Sequence, residues 1–81
     1  MARVLFFGRL SDASDALDIN LPATVKTTDD LKVWLGEQRP ALKTILNHNG
    51  NKIAVNKVMI HACVDITDTD EIAFMSPLSG G

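Results

Sequence analysis

The stretch TTDDLKVWLGEQRP, residues 27–40, carries the clearest helical signal in the chain, and the rest of the fold is arranged around it. Thr27 or Thr28 can cap a helix, because a hydroxyl oxygen accepts from an otherwise unpaired N–H of the first turn. Asp29 and Asp30 follow in that first turn, where the helix dipole favours negative charge. Leu31, Trp34 and Leu35 form an i, i+3, i+4 stripe that needs an apolar surface to cover it, so Trp34 is expected in the core. Pro40 pushes Arg39 out of helical geometry and closes the element. The next residues, ALKTIL, repeat the spacing with Leu42, Ile45 and Leu46 and predict a short second helix or helical turn. NHNGN then reads as a turn, with Asn49-Gly50 able to adopt positive φ at little cost.

Upstream of the helix lie two strand patterns. ARVLFFG is β-prone and apolar on both faces, as expected of a central strand. RLSDASDA is polar and turn-like. LDINL alternates, with Leu17, Ile19 and Leu21 to one side and Asp18 and Asn20 to the other, the mark of a strand with one wet face. Pro22 ends it. Downstream, KIAVNKV and MIHACV are short β-prone runs, DITDTD is a polar loop, and EIAFM is a last strand. In that strand Ile72 and Phe74 face one way, Ala73 and Met75 the other. Strand, strand, helix, short strands, strand predicts an α+β domain: a mixed sheet with one long helix packed on one face. The first and last strands, both apolar on two sides, lie parallel in the middle. This is the β-grasp, or ubiquitin-like, plan.

Eighty-one residues allow one domain with a modest core. At 46% hydrophobic and 22% charged residues the composition is that of an ordinary globular protein rather than a disordered chain. A net charge of -2 argues against nucleic acid as the main partner. No apolar run approaches the roughly 18 residues needed to span a bilayer, so no membrane partner is expected. The run Val4 to Phe7 is also too short for the core of a signal peptide. With a single cysteine, Cys63, no internal disulfide can form, and a reducing cytoplasmic setting is the expectation. The pattern divides the chain into a domain over residues 1–75 and a tail over residues 76–81, with nothing in SPLSGG that would hold the tail down.

Few residues read as chemistry. His48 and His61 have no second ligand at metal spacing, and no metal site is expected. His61, in a strand run, is read as half-buried. Cys63, flanked by Ala62 and Val64 with no base nearby, reads as a buried, inert thiol. Asp65, Asp68, Asp70 and Glu71 lack the spacing and central glycine of a calcium loop and read as a polar turn, with Asp68 or Asp70 accepting from local backbone N–H groups. No phosphate-binding glycine loop and no nucleophile or zinc-peptidase motif occurs.

Two features remain. Phe6 and Phe7 are adjacent in a strand, so only one can face the helix. The other lies on the far face, with Met75 and Met59 as candidates for the same face. There they form either an exposed patch that meets partners, with methionine suited to adapt to more than one, or the partly covered wall of a curled sheet. The second feature is the ending, Gly80-Gly81. Glycine averages about 7% of residues, so a terminal pair arises by chance in about one chain in two hundred. Without side chains, Gly-Gly can thread a channel too narrow for a β-carbon. Ser76 to Gly81, fully extended, reaches ~20 Å, enough to enter another protein's active site while the body docks outside.

VLFFGRL at the start, the capped helix from Thr28, AVNK at 54–57, DTDEIAF at 68–74 and the final SPLSGG together resemble the small subunits of molybdopterin synthase, sulfur carriers of the ubiquitin-like MoaD/ThiS-type superfamily. The resemblance runs along the whole chain. Thr69 departs from the glycine usual there, and Ser76 stands where a second proline is common, which slightly loosens the tail. The resemblance implies a non-catalytic small subunit. A ubiquitin-activating-type adenylyltransferase, using ATP and Mg²⁺, adenylates the Gly81 carboxylate; a sulfur donor then converts it to a thiocarboxylate. The large subunit of molybdopterin synthase takes up the tail, Pro77, Leu78, Ser79 and Gly80 leading Gly81, and the sulfur builds the dithiolene of molybdopterin. The synthase is then a heterotetramer, and the chain itself binds no cofactor. Phe7, Met59 and Met75 match the family's apolar contacts for both partners. A carrier for another pathway, such as thiamine thiazole synthesis, is the first alternative, but those chains tend to have a shorter helical region than Thr28 to Leu46. A ubiquitin-like interaction module with an inert or conjugated tail is the second.

Overall fold

A computed structural model describes residues 1–48 and 50–76. Five strands form one mixed sheet: β1 (Ala2–Phe7), β2 (Leu17–Ile19), β3 (Lys52–Val55), β4 (Val58–Ile60) and β5 (Glu71–Met75), in the order β2-β1-β5-β3-β4. β1 and β5 run parallel in the centre, with Phe6 beside Phe74 and Phe7 beside Met75. The other pairings are antiparallel. A central place gives each of these strands a paired neighbour on both edges, and only the inner face of each is packed against the helices. The arrangement is the expected α+β β-grasp.

Two helices cover the inner face, α2 (Thr28–Gln38) and the expected short second one, α3 (Pro40–Leu46), preceded by a four-residue turn of helix, α1 (Leu10–Ala13). Thr27 is the cap of α2. Its Oγ1 accepts the Asp30 N–H at 3.1 Å, while Asp30 Oδ2 accepts the Thr27 N–H at 3.2 Å, a reciprocal capping box. Pro40 plays a second part beyond stopping α2, because it begins α3, where its missing N–H costs nothing. Leu31 and Leu35 of α2, Leu42 and Leu46 of α3, and Val4, Phe6, Ile72 and Phe74 of the sheet share one core. The rings of Phe6 and Phe74 stack with centroids 6.0 Å apart.

Several expectations change in detail. RLSDASDA is partly helical, because Leu10 is completely buried and pulls its segment onto the core. Trp34 is only half-buried, at the margin of the core rather than within it. The break between the short strands falls at Asn56-Lys57 and not after Val58. Both residues take positive φ (51° and 69°), the conformation of a tight hairpin turn. The second run leaves the sheet after Ile60, so His61 and Cys63 lie outside any strand and both are exposed. The buried thiol expected at Cys63 and the half-buried His61 are thereby corrected: once β4 is only three residues long, neither side chain is carried onto the core face.

Candidate functional site: the outer face of the sheet

Side chains alternate along each strand, so the sheet has an inner face against the helices and an outer face that no second layer of described residues covers. Phe6 falls inside and is buried; Phe7 falls outside and is 49% exposed. The register places Met75 of β5 beside Phe7, and Lys52 of β3 beside Met75. Met59 of β4 pairs with Ala54, which pairs in turn with Ala73. By register both alanines lie on the outer face, between Met59 and β1.

The result is a groove of about 480 Å³, with Phe7, Met59, Met75 and Lys52 in its wall and Gly8, Gly50 and Ser76 at its end. Met59 is 44% exposed and Met75 half-buried. Phe7, Met59 and Met75, singled out from sequence parity, are thus brought together. Lys52, Gly8, Gly50 and Ser76 were missed. Lys52 was legible in principle, since it has the parity of Ala54; Gly8 and Gly50 contribute only by leaving space.

Ser76 changes the expected start of the tail. It is buried, its Oγ accepts the Arg9 N–H at 2.7 Å, and its own N–H reaches the Phe7 carbonyl. Serine in this place ties the end of β5 to the end of β1 rather than loosening it. Gly8 makes that approach possible: its φ is +66°, and a β-carbon there would collide with the Ser76 side chain. Pro77, Leu78, Ser79, Gly80 and Gly81 lie outside the described residues, as does Asn49. β5 nevertheless delivers the chain to them at the rim of the groove.

The acids cluster structurally. Asp70 Oδ1 accepts from Asn56 Nδ2 at 2.9 Å and its Oδ2 from the Thr67 N–H at 2.8 Å, while Asn56 Oδ1 accepts the Glu71 N–H at 3.0 Å. Asn56 thus clasps the β3–β4 turn to the start of β5. The Asn56 and Thr67 hydrogen bonds hold the Asp70 carboxyl below the usual carboxylate range. Asp68 is lowered too, first by the Leu21 N–H, which it accepts at 2.8 Å from a remote segment, and Asp30 by the Lys26 and Thr27 ends of its cap. Among the described residues no three His, Cys, Asp or Glu side chains converge as a metal site would require. No helix among them is long and apolar enough to cross a membrane.

A family model described as the ThiS family matches residues 4–81. The chain belongs to the ThiS family. Its fold is the ubiquitin-like one of ThiS- and MoaD-type sulfur carriers. Among solved structures it is similar to the crystal structure of SAMP1 from Haloferax volcanii, with a TM-score of 0.80 and 19% identity over 99% of this chain and 98% of that one. It is also similar to the solution structure of the small archaeal modifier protein 1 from Methanosarcina acetivorans, with a TM-score of 0.75 and 24% identity over 99% and 95% of the two chains. At such identities the likeness is one of fold. No curated protein matches the chain. In this ThiS-family member, the groove lies on the outer face at the end of β5.

Proposed function

We propose that this protein is a sulfur carrier of molybdenum cofactor biosynthesis, acting as the sulfur-donor subunit of molybdopterin synthase. The observation that carries the reading is the apolar groove of Phe7, Met59 and Met75, set where β5 hands the chain to the tail. The body docks by this groove, and the tail presents the Gly81 carboxylate to the partner's active site. A terminal carboxylate, with an ordinary pKa of ~3.5, is ionised at neutral pH and is a poor electrophile. Attack of one of its oxygens on the α-phosphate of ATP forms the acyl-adenylate and releases pyrophosphate. Sulfide sulfur from a donor then attacks the acyl carbon and expels AMP, leaving the thiocarboxylate. The catalytic side chains and the Mg²⁺ belong to the adenylating partner, and the large synthase subunit receives the sulfur for the dithiolene.

The pair of helices from Thr28 to Leu46 favours this pathway over thiazole synthesis, whose carriers have less helix here. A modifier conjugated to lysines is the second reading, favoured by the likeness to the two small archaeal modifier proteins. Incubation with an adenylating partner of proven activity, ATP, Mg²⁺ and a sulfur source, followed by intact mass measurement, separates the possibilities. The sulfur-carrier reading expects one oxygen replaced by sulfur in the wild type and no change when Gly81 is deleted. An unchanged wild-type mass would sink it, and isopeptide-linked products in a lysate without thiocarboxylate would favour the modifier. The deletion is expected to leave the fold intact, because the core among the described residues runs from Ala2 to Phe74.

A further inference from the structure

Lys52 is a full positive charge in the wall of an otherwise apolar groove. It is exposed, pairs in register with Met75, and forms no ion pair with a described residue. None of the groove's lining residues is acidic. The one acid that shares this face along β5 is Glu71, four positions from Met75, about 13 Å at strand spacing, and Arg3 stands beside it. In a chain whose net charge is -2, the groove is therefore a local exception. A partner that fills it with an apolar side chain also takes part of the water from the exposed Lys52 ammonium, a cost that a counter-charge offsets.

We propose that Lys52 makes the groove a receptor for a protein segment in which an aliphatic or aromatic anchor is flanked by a carboxylate. The anchor sits among Phe7, Met59 and Met75, and the Asp or Glu of the partner meets Lys52. The apolar wall supplies affinity while the charge selects the partner and speeds the encounter. This rests on the proposed docking role of the groove and adds the chemistry of what docks there.

The test titrates the isotope-labelled full chain with two tetrapeptide amides, Glu-Leu-Phe-Glu and Lys-Leu-Phe-Lys, followed by NMR at low salt. The acidic peptide is expected to move the amides of Phe7, Lys52, Met59 and Met75 at about threefold lower concentration than the basic one, in the range of an exposed ion pair. High salt narrows that difference, Lys52→Met abolishes it and Lys52→Glu reverses it. Equal response to both peptides, a preference that survives in Lys52→Met, or shifts confined to another surface would overturn the proposal. So would peptide binding that strengthens several-fold when residues 77–81 are deleted, since the groove would then be the seat of the chain's own ending. Shifts of the same amides with protein concentration alone would assign the groove to a second copy instead. A chain that shows the acidic preference but never becomes a thiocarboxylate contradicts the sulfur-carrier function and leaves this inference standing.

Discussion

Gly8 stands at the end of β1 with φ +66°, facing the Ser76 side chain at a distance no β-carbon could share. Two independent constraints thus meet in one residue: left-handed backbone, which L side chains adopt at a cost, and contact with the chain leaving β5. Gly8→Ala is expected to destabilise the protein by about 2 kcal/mol in urea unfolding, more than a glycine-to-alanine change costs where φ is negative. If the variant matches the wild type, the close approach of Gly8 and Ser76 is wrong. The contact matters for function because it fixes Ser76, the last described residue, beside Phe7 and Met75 at the groove. Single residues also mark what sequence parity cannot reach. Ser76 read as a loose end because its partner, the Arg9 N–H, is 67 positions away. Cys63 read as buried because its apolar neighbours implied a strand that the backbone does not continue.

At the scale of elements, hydrogen-bonded aspartates hold the joints. Asp30 closes the cap of α2, Asp68 binds the Leu21 N–H, and Asp70 joins the Asn56 turn to the entry of β5. All three carboxyls lie below their ordinary value in the folded state. A depressed folded pKa stabilises above the unfolded pKa and loses that contribution as pH falls through the folded value. The urea midpoint should therefore hold from neutrality to about pH 5 and fall below about pH 4. Asp70→Asn removes one of these titrations. It should be less stable than wild type at neutral pH and lose less between pH 5 and pH 3; an identical acid profile would exclude Asp70 from the effect. The elements themselves were legible wherever one period dominated: the Leu31–Leu35 stripe, the alternation of LDINL, the two-sided apolar β1 and β5. The hairpin was displaced because the turn is made by Asn56 and Lys57, a pair without the glycine that usually announces it. Leu10 formed a helical turn because burial of one leucine outweighed a polar neighbourhood.

For the whole molecule, the division is between a covered and an uncovered face of one sheet. The inner face is closed by α2 and α3 and supplies the core. No second layer of described residues covers the outer face, where Phe7, Met59 and Met75 line a groove. Parity along β1 and β5 put Phe7 and Met75 on one face, while Met59, on β4, was only a candidate for it. Lys52 escaped notice because a lysine in a strand reads as solvent-facing until the groove around it is seen. In this account the fold recognises, the tail delivers, and partner enzymes supply the catalytic groups. The most direct test is the rate at which the adenylating partner and a sulfur source convert Met75→Asp, with its fold checked by circular dichroism, to the thiocarboxylate. The account predicts a KM raised about tenfold or more, because an apolar contact is lost and the new carboxylate, beside Lys52, takes the place of the partner's acid, with kcat little changed. A KM equal to that of the wild type would contradict the groove as the docking site.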